Sequence, residues 1–486
     1  MDLVAILVAL GLLMFLAFRG VTILIVAPLM ALLAVAISGA LPPLASYTQI
    51  FMSNTGDFII DFFPLFLLGA VFGKLMDDSG GAEAIAKGVI KWLGPDHAIL
   101  AVVLCCAVLT FGGVSLFVVA FAVYPIAASL CRDANIPKRL IPGTVALGAF
   151  TFTMSALPGS PAIQNAIPMP FFGTTSFAAP GLGIITAAIM FGLGTLWLNR
   201  RRSLAAASGE GYGQHEDNVT KPDIVMREQA QAEGFDIAEI DVGGEGTADT
   251  RDLPSFALAI APVIVIVAVN MGFIQFVVPM LQADFLTLPL FGETNLEAVR
   301  GLWAVIIALS VASLFVIVMN WARLADLKAS LNKGADAAVL PIFATASLVG
   351  FGAVVAALPG FQTVTEALVE LGNYDPLIAV AVSVAILSGL TGSASGGMSI
   401  ALDAMGDTFV QMANSTGTSP EVMHRVTSVS SGAMDALPHN GAVITVLGIC
   451  KLGHKEAYFD VFVVAVIIPM ISLIALIILA TLFGKF

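Results

Sequence analysis

Ala98 to Leu130 is a run of 33 residues without a single charge. As one helix it would be about 50 Å long, against a bilayer hydrocarbon core of about 30 Å. As two spans, each leg would be too short. Thr110-Phe-Gly-Gly-Val-Ser115 interrupts the run near its middle. The stretch therefore reads as two helical legs that meet at a tip inside the membrane and return. Pro376 to Leu402 repeats the pattern, with Thr391-Gly-Ser-Ala-Ser-Gly-Gly397 as the tip of a hairpin taken as 376–413. Broken backbone is tolerated at membrane depth only where it is packed in protein or lines a wet cavity. Two such hairpins, at 98–130 and 376–413, already demand an all-α polytopic membrane protein.

The composition agrees. Apolar residues make up 58% of the 486, charged residues only 11%, and the mean hydropathy is +0.96. A soluble domain carries about 25% charge and needs a polar outer shell. The net charge of −13 is unevenly placed: residues 203–253 hold twelve Asp/Glu and three Lys/Arg, a balance of −9, which leaves −4 for the remainder. That segment is poor in aromatic residues and reads as an acidic cytoplasmic linker. The four cysteines, Cys105, Cys106, Cys131 and Cys450, have no metal-ligand spacing. They read as inert membrane thiols, with no metal or cofactor implied. The apolar N-terminus has neither a basic leader nor a cleavage site, so it is expected to be a first transmembrane helix.

Ten segments, this one included, are expected to span: Val4–Ala17, Val21–Leu41, Phe58–Leu75, Leu140–Phe171, Phe177–Leu198, Ser255–Met280, Leu302–Asn320, Val339–Leu358, Val422–Cys450 and Tyr458–Phe483. With the N-terminus outside, fifteen Lys/Arg fall on inside loops, or eighteen with the linker, against Arg300, Arg425 and Lys485 outside. The positive-inside rule then places both termini outside and the linker in the cytoplasm of a cell inner membrane.

Five spans and a hairpin precede the linker, and five spans and a hairpin follow it. Residues 1–202 and 254–486 are therefore expected to be inverted repeats. Ala156-Leu-Pro158 recurs as Ala436-Leu-Pro438 at an offset of 280, which also pairs Gly112 with Gly392 and Ser115 with Ser395. Phe63-Pro-Leu-Phe66 parallels Leu340-Pro-Ile-Phe343, and Leu93-Gly94 parallels Leu371-Gly372. Inverted repeats with paired discontinuous helices mark secondary transporters, whose site lies at the repeat interface near the midplane.

Four breaks should meet there: the two tips, Ala156-Leu-Pro-Gly-Ser-Pro161 and Ala436-Leu-Pro-His-Asn-Gly441. Proline removes a helix hydrogen bond. Freed N–H groups at a half-helix start suit a carboxylate, and freed carbonyls suit a cation. Candidate substrate contacts are Gly112, Gly113, Ser115, Ser160, Gln164 and Asn165 from the first half, and Ser393, Ser395, His439 and Asn440 from the second. The same small residues also suit close helix packing. Asp435 and His439, four apart in an otherwise uncharged run, are candidates for ion coupling, or else a structural pair that holds the break. Asp403 and Asp407 are weaker candidates, and Asp57 and Asp61 read as interfacial.

The Gly-Gly-Val-Ser tip, Ser155-Ala-Leu-Pro-Gly-Ser-Pro161, Ser399-Ile-Ala-Leu-Asp403 and Asp435-Ala-Leu-Pro-His-Asn440 resemble the gluconate permease family of the ion transporter superfamily. The resemblance covers nearly the whole chain outside the linker. It implies proton-driven symport of sugar acids or other small hydroxycarboxylate anions. It also implies a homodimer in which a hairpin-bearing domain moves against a fixed scaffold as an elevator, with the first, second, sixth and seventh spans mostly scaffold. The gluconate-transporting branch carries an acidic residue just after its first tip. Val114-Ser-Leu-Phe117 stands there in this chain, which favours a less hydroxylated acid such as 3-hydroxybutyrate.

Two other readings share this scaffold: a sodium-coupled organic-anion symporter, and an inorganic ion/proton antiporter. The antiporter would want a cluster of intramembrane carboxylates, whereas Asp435 stands nearly alone. A membrane enzyme or receptor is disfavoured by the lack of a nucleophile–base pair, a metal-ligand cluster or a phosphate loop followed by Lys, and nothing points to nucleic acid.

Overall fold

The computed structural model describes residues 2–484 except 20, 95–96, 115, 216–252, 364–365, 368–369, 371–374 and 439. The described residues are helical or irregular, with no strand among them. Among the described residues six helices are long and apolar enough to cross a membrane: α3 (Pro43–Asp78), α8 (Pro180–Ala207), α9 (Phe256–Met280), α10 (Leu296–Met319), α11 (Leu327–Ala356) and α16 (His454–Phe483). They account for six of the ten expected spans. Two more are the shorter apolar helices α1 (Asp2–Phe18) and α2 (Ile23–Ser38). The last two are broken.

Helix starts follow the local chemistry. Asn295 accepts from Ala298 N at 3.0 Å to open α10, and Asp326 accepts from Ala329 N at 2.9 Å to open α11. Each satisfies a backbone donor that the helix itself leaves free. Some bounds differ from expectation. The third span begins at Pro43, fifteen residues before Phe58, because a polar stretch continues the helix outward. A helix not foreseen as a separate element, α4 (Gly81–Leu93), buries Ile85 and Val89 and leaves Trp92 exposed. Of the expected linker, 203–207 extend α8 and 216–252 lie outside the described residues.

The two stretches expected as hairpins each form a pair of antiparallel helices joined by a short turn. In the first, α5 (Ala98–Phe111) turns at Gly112-Gly113 into α6 (Leu116–Asp133). Gly113 has φ +84° there, a conformation that glycine alone adopts without strain. In the second, α12 (Pro376–Thr391) stops at left-handed Gly392, and Ser393 caps α13 (Ala394–Thr416). The legs of this second pair touch closely. A Cβ on Gly397 would lie 2.2 Å from Ser388 N and 2.3 Å from Ser388 Cα.

The expected span Leu140–Phe171 is α7 (Ile141–Ala149) followed by single turns at Phe152–Ser155, Ile163–Ala166 and Pro168–Phe172. The expected span Val422–Cys450 is α14 (Pro420–Ser431), an unwound stretch, and α15 (Gly441–Ile449). The prolines at 158 and 438 sit in the unwound parts, as loss of a backbone donor requires.

Helices α3 and α11 run antiparallel along one another. A Cβ on Gly334 would meet Val71 Cα at 2.7 Å, and one on Gly350 would meet Phe51 O at 2.7 Å. Small residues at both ends of the contact let two backbones approach, which is how helices associate where lipid offers no hydrophobic gain. The core is continuous across the two halves of the sequence, with α1, α2 and the end of α11 forming a smaller cluster of their own.

Candidate functional site

A cavity of about 250 Å³ lies where the two tips and the two breaks converge. Gly113 and Val114 from the first tip and Thr391 to Ser395 from the second line it. Pro161 to Gln164 come from the first break, and Asp435, Ala436 and Asn440 from the second. The opposite wall is apolar except for Thr345 and includes Ile23, Phe66, Leu309 and Pro341, from α2, α3, α10 and α11.

Each tip rests on the break of its own half. Asn440 Nδ2 donates to the Gly392 carbonyl at 2.7 Å. A Cβ on Gly113 would touch Pro161 Cγ at 3.2 Å. Two full helix starts face the cavity from the second half. Ser393 Oγ accepts from Gly396 N at 3.1 Å to cap α13, and Asn440 Oδ1 accepts from Val443 N at 2.9 Å to cap α15. The remaining first-turn N–H groups leave partial positive charge beside the cavity.

Of the residues singled out from sequence, Gly113, Gln164, Ser393, Ser395, Asp435 and Asn440 line this one space. Gln164 makes no hydrogen bond to any described residue and is free to meet a solute. Asp435 is 6% exposed, and its Oδ1 has no hydrogen-bond partner among the described residues. Gly112 stands off the cavity against Val263, which a Cβ would meet at 2.7 Å. Ser160 and Asn165 are buried behind the first break. Ser160 Oγ accepts from Ala162 N at 3.2 Å, and Asn165 Nδ2 donates to the carbonyls of Ser160 and Ser176 at 2.9 and 3.0 Å. Ser115 and His439 lie outside the described residues. Asp57, Asp61 and Asp407 are exposed and Asp403 is half-buried, all away from the cavity.

One basic residue was misplaced by the charge pattern. Arg425 is not on an outer loop: it is 0% exposed, with buried His424 beside it, packed behind the first break. A cation at the start of an apolar run looks like a loop residue, and the carbonyls that hold it come from the other half of the chain. Among the described residues no group of three or more His, Cys, Asp or Glu is placed to hold a metal ion.

A family model described as "Citrate transporter" matches residues 12–358, well over half of the chain. The chain belongs to the citrate transporter family. The family shown is thus a different one from the gluconate permease family that the motifs resemble. The chain is also 44% identical over 474 residues to the Bacillus subtilis (strain 168) protein called "Uncharacterized transporter YxjC", and the match covers 96% of each. The crystal structure of the Alcanivorax borkumensis YdaH transporter has a similar fold. Its TM-score is 0.57 at 13% identity, covering 91% of this chain and 90% of that one. As a member of the citrate transporter family the protein is a multi-pass secondary transporter and not an enzyme.

Proposed function

We propose that the protein carries small hydroxycarboxylate anions together with a proton, with citrate the first candidate. Gluconate and 3-hydroxybutyrate follow as the solutes that the tip motifs suggest. The observation that carries this reading is the geometry of Asp435. It is buried against the cavity with Oδ1 unpartnered, between two helix starts. An ionised carboxylate left unpaired in a membrane protein is expensive, and a proton or cation removes the cost. The N–H groups of α13 and α15 suit the carboxylate of the solute. The hydroxyls of Ser393 and Ser395 and the amide of Gln164 suit its hydroxyl.

On this reading 1–202 and 254–486 are inverted repeats joined by the linker 203–253. The tips and breaks form the moving wall of an elevator, and α2 and α10, the second and seventh spans, belong to the wall it slides against. The largely apolar face of that opposite wall supports such sliding, because apart from the Thr345 hydroxyl it offers the solute little to hold. The protein works as a homodimer in the inner membrane, with both termini outside, as the Lys/Arg asymmetry suggests.

The test uses proteoliposomes containing wild-type protein or Asp435→Asn, with labelled citrate, gluconate and 3-hydroxybutyrate. Uptake with alkalinisation of the outer medium, both lost in the variant while the fold is retained, supports proton symport. Uptake that needs sodium and moves no protons assigns the coupling ion to sodium instead. No uptake of any of the three sinks the substrate reading, and cation flux without solute then favours an inorganic ion/proton antiporter.

A further inference from the structure

Among the described residues Arg425 is the largest fully buried side chain, and each of its hydrogen-bond partners there is neutral. Its Nε and Nη2 donate to the Ala178 carbonyl at 3.1 and 2.8 Å, and Nη2 also donates to Ser176 O at 3.3 Å. Its Nη1 donates to Asn165 Oδ1 at 3.1 Å and to Ser155 O at 3.4 Å. Among the described residues no carboxylate pairs with it. His424 adds no counter-charge. Its ring bonds Thr174 Oγ1 at 2.6 Å and Asn165 Oδ1 at 3.2 Å.

The surroundings are shaped to the guanidinium. A Cβ on Gly183 would lie 2.6 Å from Ala156 O and 3.2 Å from Arg425 Nε, so a larger residue there would press on the group. The acceptors also sit next to the cavity. Ser155 and Asn165 are the chain neighbours of Met154 and Gln164, and both of those line it.

A guanidinium stays charged in proteins. Dipoles can solvate its N–H groups, but they leave its net charge in place. In a dry interior that charge is screened far less than at a surface. A buried cation without a counter-ion is normally selected against. Here the missing negative charge is one the cavity receives from outside.

We propose that Arg425 sets the preference of the cavity for anionic solutes, acting through space from behind the first break and not by contact. This inference rests on the reading of the cavity as a carboxylate site. It also gives the coupling an electrostatic basis. With Asp435 ionised, the two side chains carry opposite charges and the site has little net charge. With Asp435 neutralised by a proton, the charge of Arg425 stands alone and an anion is drawn in. Arg425 is thus a positioning residue whose effect grows with the charge of the solute.

The experiment measures uptake in proteoliposomes for wild type, Arg425→Lys, Arg425→Gln and Asn165→Asp, with 3-hydroxybutyrate, malate and citrate as solutes of one, two and three carboxylates. Asn165→Asp sets a carboxylate against Arg425 without removing the arginine, so the proposal stays testable if Arg425→Gln does not fold. The expected result is a KM that rises in both Gln and Asp variants by an amount graded with carboxylate number, about tenfold or more for citrate and least for 3-hydroxybutyrate, with kcat changed less. Arg425→Lys should restore KM to within about threefold, because it keeps the charge. An equal fall in kcat for all three solutes with unchanged KM would mean that Arg425 only clamps the first break, and would overturn the proposal. Failure of the wild type to take up any of the three overturns the carboxylate reading itself, which is a separate and recognisable result.

Discussion

The side-chain amide of Asn440 is used at both ends: Nδ2 donates to Gly392 O at 2.7 Å, and Oδ1 accepts from Val443 N at 2.9 Å. One residue thus caps α15 and fastens the second tip to the second break. Asn440→Ala should lose both bonds, costing roughly 2 kcal/mol together. Asn440→Asp keeps the cap and loses the donation to the tip. The expected outcome is a clear fall in thermal stability in detergent for the Ala variant, and for the Asp variant a loss of uptake with a much smaller loss of stability. Uptake retained by the Asp variant would separate uptake from the tip contact.

Asp460 joins three elements on the side where the linker begins. Its carboxylate, 2% exposed, accepts from Arg201 Nε at 2.8 Å, Trp197 Nε1 at 3.0 Å and Arg139 Nη1 at 3.2 Å. Asp460→Asn leaves two guanidinium groups without their shared anion and should destabilise by roughly 3 kcal/mol. Asp460→Asn combined with Arg201→Leu should cost less than the sum of the two single changes. Thermal unfolding of the four proteins in one detergent measures the coupling.

Gly397 and Gly192 should respond in opposite ways to the same substitution. Gly397→Ala drives a Cβ into the backbone of Ser388, which cannot move without opening the second hairpin. The expected cost is at least ~1–3 kcal/mol, with loss of uptake. At Gly192, inside α8, an added Cβ meets nothing within 4 Å. Gly192→Ala should be neutral or stabilise by up to about 1 kcal/mol through helix propensity. Folded yield and uptake of both variants check the pair.

Glu210 lies beyond the end of α8 and accepts from Arg139 Nε at 2.6 Å and Nη2 at 2.8 Å. The hydrogen-bonded Arg139 guanidinium holds its carboxyl below the ordinary value of 4.5. A carboxyl lowered in the folded state stabilises fully above its unfolded value and loses that contribution only as pH falls through the folded one. The contact is therefore intact between about pH 5 and 8. Glu210→Gln should leave the shape of the uptake–pH profile unchanged in that range, while Asp435→Asn should flatten it.

The sequence made the breaks legible because proline and glycine act locally. Gly113, Gly392, Pro158 and Pro438 each fix a backbone event that neighbouring residues cannot override. The convergence of Asp435, Asn440, Ser393 and Gln164 on one cavity was accessible for the same reason. Helix α4 was missed because its apolar face is short and interrupted by charge, so it resembled a loop between spans. Arg425 and His424 were missed for a deeper reason. The groups that satisfy them, at Ser155, Asn165 and Ala178, lie about 250 residues away in the chain, and no local pattern announces such a partnership. Ser160 and Asn165 looked like solute contacts because they stand in the break. The structure uses their polar atoms to hold the unwound backbone together.

The contact between α3 and α11 crosses from one half of the sequence to the other, and so do the bonds of Arg425 and Asp460. Neither half by itself has a place to bury these surfaces. A gene encoding only residues 1–202 would expose one flank of α3 to lipid that it is shaped to hide from, and a gene for 254–486 would strand a guanidinium. The contacts of α3 with α11 and the bonds of Arg425 and Asp460 are made outside residues 203–253, so two co-expressed polypeptides cut within that segment would keep them.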